Sequence, residues 1–204
     1  MTNKRIILGI SGASGVILGY RIAEALHEAG IEIHMVMTET AKVTWEYECG
    51  NLPVSKMSGL AYADYEANDM AARIASGSFR TDGMIVAPCS MKTLAGIVTG
   101  YTDNLLLRAV DVCLKEGRKV VLCPREMPLG KVHLRNMTEA SELGCVIIPP
   151  MLSFYSGQES VEDMLHHIVG KILMQYNIEY GQFRSWEGRA VCSNQHGHCF
   201  HAPE

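Results

Sequence analysis

Three short segments carry side chains able to do chemistry, and each directly follows an apolar run. The first is Gly9-Ile10-Ser11-Gly12-Ala13-Ser14-Gly15. Its glycines let backbone approach a ligand closely, and a helix starting there offers free N–H groups and the positive end of its dipole. Ser11 and Ser14 add hydroxyls. The spacing is G-x-x-G-x-x-G, which is neither the G-x-G-x-x-G dinucleotide fingerprint nor a Walker A loop. A tight strand-to-helix turn and a loop contacting phosphate or flavin both fit. The second segment is Ala87-Pro88-Cys89-Ser90-Met91-Lys92-Thr93, with Ser90 a natural helix cap; it admits the same two readings. The third is Pro124-Arg125-Glu126-Met127-Pro128. There a solvated ion pair in a turn competes with a working pair, Arg125 holding an anion while Glu126 moves protons.

Other polar residues are less telling alone. Arg108 and Lys115, at i and i+7, share one helix face and read as a solvated face. Glu48 in Trp45-Glu46-Tyr47-Glu48 reads as a surface carboxylate. Tyr155, after Pro149-Pro150, suits packing or a phosphate-binding hydroxyl equally. Cys192, His196, His198, Cys199 and His201 are metal-capable, but their spacing matches no zinc framework, so no metal is expected.

The elements that must carry these segments alternate. Ile6–Ile10, Ile31–Met37, Met84–Ala87, Val120–Cys123 and Val146–Ile148 read as buried strands. Between them, Ile17 to Leu26, Leu105 to Leu114 and Leu134 to Leu143 repeat apolar residues every three or four positions, as helices do. Such alternation predicts βαβ crossovers and a parallel sheet covered on both faces. Thr102 is a candidate cap and Gly117 a candidate stop for the Leu105 helix. Ser160-Val161-Glu162-Asp163 resembles a capping box for a last helix through Leu173. Residues 50–82 read as a long irregular excursion between two strands. The expected organisation is one domain over 1–187 and a polar tail over 188–204.

Composition closes off other classes. The 204 residues are 48% hydrophobic and 20% charged, with a net charge of −4, so the chain is globular and has no global positive field for nucleic acid. No apolar run approaches the roughly 18 residues of a membrane span. The N-terminal run Ile6–Ile10 is too short for a signal peptide. The seven cysteines, an odd number partly inside apolar runs, suit reduced thiols. A soluble cytoplasmic protein is expected.

Taken in order, Ser11-Gly12-Ala13-Ser14-Gly15, Pro88-Cys89-Ser90, Arg108-Ala109-Val110-Asp111, Leu114-Lys115-Glu116, Pro124 to Pro128, His133-Leu134-x-Asn136-Met137 and Phe154-Tyr155 form a specific set. From about residue 4 to 187 the chain resembles the UbiX-type flavin prenyltransferases, in the branch found with hydroxybenzoate (phenolic acid) decarboxylases. The resemblance implies an α/β, Rossmann-like (flavodoxin-like) three-layer sandwich that binds FMN. It implies transfer of a dimethylallyl group from dimethylallyl phosphate, or the diphosphate, to N5 and C6 of reduced FMN. The prenylated FMN then serves a UbiD-type decarboxylase. Homo-oligomers, usually dodecamers built of trimers with sites at subunit interfaces, are also implied.

By the same resemblance Gly12, Ala13, Ser14, Thr38, Ser90, Met91, Lys92, Thr93 and Arg125 contact FMN. Arg125, Tyr155, Lys171, Arg108 and Lys115 hold the donor phosphate, and Trp186 closes over the site. Ser14, Glu48 and Glu126 take part in catalysis, while Met70 stands where some members have a tryptophan. One rival is an FMN-dependent cysteine-type decarboxylase of the same fold. The chain has no histidine between His34 and His133, and its loops read Pro88-Cys89-Ser90-Met91-Lys92-Thr93 and Pro124-Arg125-Glu126-Met127-Pro128; both features favour prenyl transfer. The other rival is a non-catalytic flavin carrier or decarboxylase subunit.

Overall fold

The computed structural model describes residues 4–154 and 160–185. Tyr155, Trp186 and the Cys/His-containing tail therefore lie outside the described residues. Six strands form one sheet: β1 (Arg5–Ile10), β2 (Glu32–Met37), β3 (Ala63–Glu66), β4 (Gly83–Cys89), β5 (Lys119–Pro124) and β6 (Val146–Ile147). Their order is β3-β2-β1-β4-β5-β6 and every pairing is parallel. The order reverses between β1 and β4. In open sheets of this kind ligands gather there, at the strands' C-terminal ends.

The central strands are apolar on both faces because helices cover both. On one side Ile6, Leu8, Ile10, Met35 and Ile85 meet α1 (Val16–Glu28), Trp45 of α2 (Glu39–Glu48), Met57 of α3 (Val54–Ser58) and α7 (Val161–Met174). On the other, Ile7, Val36, Met84, Val86 and Leu122 meet α4 (Met91–Thr99), α5 (Leu105–Lys115) and Ala140 of α6 (Lys131–Glu142). This is the expected α/β three-layer sandwich. No helix among the described residues is long and apolar enough to cross a membrane. Cys89, Cys113, Cys123 and Cys145 are buried free thiols, and burial pushes the last and Cys113 up to about 11.

Several expectations need correction. The cap of α5 is Asn104, whose side chain accepts from the Leu107 N–H at 3.0 Å, rather than Thr102. Gly117 does follow the helix in the left-handed region, at φ 66°. The Ser160 capping box is present, with Asp163 as its partner. The excursion over 50–82 is more ordered than its sequence suggests. It contains α3, the edge strand β3 and a short 3₁₀ turn at Arg73–Ala75. Strand β3 reads Ala-Asp-Tyr-Glu, half-buried on alternate residues, so it carries no apolar run to announce it. Helix α2 was likewise silent, because only Ala41 and Trp45 of its residues are buried.

Candidate functional site

The first two loops are physically joined across the point where strand order reverses. Ser11 is buried; its hydroxyl donates to the Pro88 carbonyl at 3.0 Å and accepts from the Ser90 N–H at 2.7 Å. The third loop joins them through backbone, the Arg125 N–H donating to the Cys89 carbonyl at 3.1 Å. The three segments singled out by residue type thus form one rim at the C-terminal ends of β1, β4 and β5. Ser11, expected to add a donor towards a ligand, instead ties the rim together.

Beside that rim lies a cleft of about 310 Å³. Thr38, Thr40, Ala67, Ser90, Lys92, Thr93, Asp103, Asn104 and Leu107 contribute to its lining. Three helices begin at it, and each has its cap residue on the wall: Thr38 for α2, Ser90 for α4 and Asn104 for α5. The Thr38 hydroxyl accepts from the Ala41 N–H at 3.2 Å, and the Ser90 hydroxyl accepts from the Thr93 N–H at 3.2 Å. Three helix starts, each at the positive end of its dipole, share this wall with the Lys92 ammonium and with the Glu39 and Asp103 carboxylates, so an anion is best placed on the Lys92 side. The hydroxyls and amides around it suit the polyhydroxyl chain of a phosphorylated ligand. Thr38, Ser90, Lys92 and Thr93 are four of the residues expected at the flavin. Thr40, Asn68, Asp103 and Asn104 were missed, since their part depends on where the excursion and α5 return to the sheet.

The first loop is used differently from the simple phosphate reading. Glu48, at the end of α2, accepts from the Gly15 N–H at 2.8 Å and the Val16 N–H at 3.2 Å. A carboxylate of the chain itself therefore occupies the N-terminus of α1. Gly15 sits at φ 94°, which a side chain would strain, and Gly12 has no room for one: a Cβ there would lie 2.5 Å from the Thr40 side chain. Ser14 stands exposed between these two, one residue before the first N–H that Glu48 caps.

Arg125 and Glu126 are exposed at the end of β5, and Glu126 accepts from the Met127 N–H at 3.0 Å. Arg108 is not directed at the cleft. It pairs with Asp111 at 2.7 Å and donates to the Ala75 carbonyl at 3.1 Å, which anchors the excursion. Lys115 closes α5 at the end away from the cleft, about 15 Å from the helix start. Lys171 is exposed near the end of α7, about one and a half turns before Tyr176, whose hydroxyl donates to the Met84 and Lys119 carbonyls near the N-terminal starts of β4 and β5. One copy of the chain therefore brings together Gly12, Ala13, Ser14, Thr38, Glu48, Ser90 to Thr93, Arg125 and Glu126, but not Arg108, Lys115 and Lys171. Met70 is exposed on the excursion beside Asn68.

The Flavoprotein family model matches residues 1–173. A probable UbiX-like flavin prenyltransferase of Sedimentibacter hydroxybenzoicus is 57% identical over 185 residues, covering 90% of this chain and 97% of that protein. The crystal structure of AnUbiX (PadA1) in complex with FMN and dimethylallyl pyrophosphate superposes with a TM-score of 0.89 at 45% identity, covering 91% of this chain and 98% of that one. A dodecameric FMN-dependent UbiX-like decarboxylase from Escherichia coli O157:H7 superposes at 0.87 with 49% identity, covering 90% and 100%. With this rim, this cleft and this identity over 90% of its length, the chain belongs to the UbiX-like flavin prenyltransferases.

Proposed function

We propose that this protein transfers a dimethylallyl group from dimethylallyl phosphate, or the diphosphate, to reduced FMN, and that the prenylated FMN passes to a UbiD-type decarboxylase. The observation that carries the reading is the convergence of three capped helix N-termini and Lys92 on one cleft beside the joined loops. The FMN phosphate and ribityl chain are assigned to Thr38, Ser90, Met91, Lys92 and Thr93. The ring system is assigned to Gly12, Ala13, Ser14 and Arg125. Reduced flavin supplies the nucleophilic N5 and C6 positions.

The chain's own groups then have three tasks. Cations must stabilise the departing phosphate without a metal; Arg125, Arg108, Lys115 and Lys171, with the Tyr155 hydroxyl, are assigned to it. Apolar walls, with Trp186 closing, must keep water from the allylic carbon. Ring closure joins C6 to the tertiary carbon of the prenyl double bond, whose other carbon must gain a proton while C6 loses one; Glu126 is assigned this acid/base role with Ser14 as relay, and Glu48 holds Ser14 in place through the α1 N-terminus. Arg108 is turned away from its own cleft and Lys115 and Lys171 stand at the far ends of their helices, which favours a homo-oligomer, a dodecamer by analogy with the relative above, in which neighbouring copies complete the donor pocket. The catalytic domain is assigned to 1–187 and the polar tail to 188–204. Buried free thiols suit a reducing cytoplasm.

The deciding experiment is anaerobic incubation of the protein with reduced FMN and dimethylallyl phosphate, followed by mass analysis of the flavin. A gain of one five-carbon unit is expected. Tightly bound but unchanged FMN would mean a flavin carrier instead.

A further inference from the structure

One wall of the cleft, Ala67 and Asn68, is delivered by β3, a short strand of the sheet. It has four residues, lies at the edge, and offers one large side chain, Tyr65, to hold it. That side chain ends on a buried polar chain. The Tyr65 hydroxyl lies 2.8 Å from Nδ1 of His34, whose Nε2 lies 2.8 Å from Oε1 of Glu32, which in turn pairs with Arg5. His34 is fully buried on β2 and ringed by Tyr62, Tyr65 and Phe79. The carboxylate only accepts, so Nε2 carries the hydrogen; Nδ1 is then the acceptor, and Tyr65 donates to it. Arg5 is held in turn by the Arg80 carbonyl and the Phe79 ring.

We infer that Tyr65 and His34 are positioning residues for the cofactor cleft, acting as a register lock on β3. Side chains alternate along a strand, so a slip of one residue would turn Tyr65 out and bring Asp64 in. Apolar packing alone resists this poorly in a strand reading Ala-Asp-Tyr-Glu, whereas the hydroxyl–imidazole bond exists in one register only. The same register sets the next residues. The Ala67 carbonyl accepts from the Leu105 N–H at 2.8 Å, tying the strand exit to the first turn of α5 beside its cap Asn104. A slip would remove both the Ala67–Asn68 wall and that tie.

This inference rests on the cleft holding FMN, and its test separates the two. Tyr65→Phe keeps the ring and removes the hydroxyl. Losing one such bond is expected to weaken FMN binding roughly three- to tenfold, with kcat at saturating FMN and the KM for the prenyl donor within about twofold of wild type. His34→Gln, whose amide can both accept from Tyr65 and donate to Glu32, is expected to retain affinity where His34→Leu loses it. Amide exchange over residues 63–68 is expected to speed up in Tyr65→Phe whether or not flavin is present. Wild-type affinity and unaltered exchange in Tyr65→Phe would overturn the lock, as would equal losses in the Gln and Leu variants. Absence of FMN binding by the unmodified protein would overturn the cofactor assignment alone, and exchange would still decide the lock.

Discussion

The Glu48 carboxylate accepts from the Gly15 N–H at 2.8 Å, so the end of α2 caps the start of α1. Helix starts leave several N–H groups without intrahelical partners, and an acceptor with negative charge answers both the bonding and the dipole. Glu48→Ala is expected to cost about 0.5–1 kcal/mol, lowering Tm by about 1–4 °C. It should also lower kcat, because Ser14 immediately precedes the capped residue. Glu48→Gln retains an acceptor and should fall between; thermal unfolding and turnover of the three proteins check this.

Ser11 fastens the first loop to the second from a buried position. Ser11→Ala leaves the Ser90 N–H without that acceptor, at a cost of about 1–3 kcal/mol. Since Ser90 also caps α4 and lines the cleft, FMN affinity should fall with stability. Denaturant unfolding and flavin titration on the same variant measure the two losses.

Lys92 separates the phosphate from the rest of the flavin. In Lys92→Met the affinity for FMN is expected to drop by about tenfold, the loss of one charge-assisted contact. Affinity for riboflavin, which lacks the phosphate, should hardly change. Equal losses for both ligands in a paired titration would place the phosphate elsewhere.

Lys171 and Glu126 do not meet within one copy. Lys171→Ala and Glu126→Gln proteins are each expected to be nearly inactive. Co-assembled in equal amounts they should recover activity at about a quarter of sites, those drawing both groups from intact sources in a symmetric assembly. No recovery in mixed oligomers would show that both groups serve the same copy's site, and full activity of Lys171→Ala alone would show that Lys171 serves none.

Burial lowers the pKa of His34, against the opposing pull of the Glu32 hydrogen bond, and the Arg5 hydrogen bond lowers that of Glu32. Both folded-state values lie below those of the unfolded chain, so the unfolded chain takes up protons first as pH falls. Their stabilisation is complete above the unfolded histidine value of about 6.5 and is lost on acidification, first through His34 and then through Glu32 below about 4.5. Tm should therefore fall between pH 7 and 5. The slope should be shallower in His34→Gln, as thermal melts across that range would register.

Where an element announced itself through apolar spacing, it was legible without coordinates. The runs Ile6–Ile10 and Val120–Cys123 are strands, and the Leu105 and Val161 helices are present, because burial on both faces or along one stripe leaves a period in the residue types. The three polar loops were legible for the same reason, each following such a run. Strand β3 and helix α2 left no comparable period, since one is an edge strand and the other buries only two side chains. Their contributions to the cleft, Asn68 and Thr40, were hidden with them. Contacts between distant segments lay beyond any local pattern: Glu48 on the α1 N-terminus, Ser11 on Ser90, and the separation of Lys115 and Lys171 from the cleft. A residue's type states which bonds it can make; only the packed chain selects which partner stands within reach.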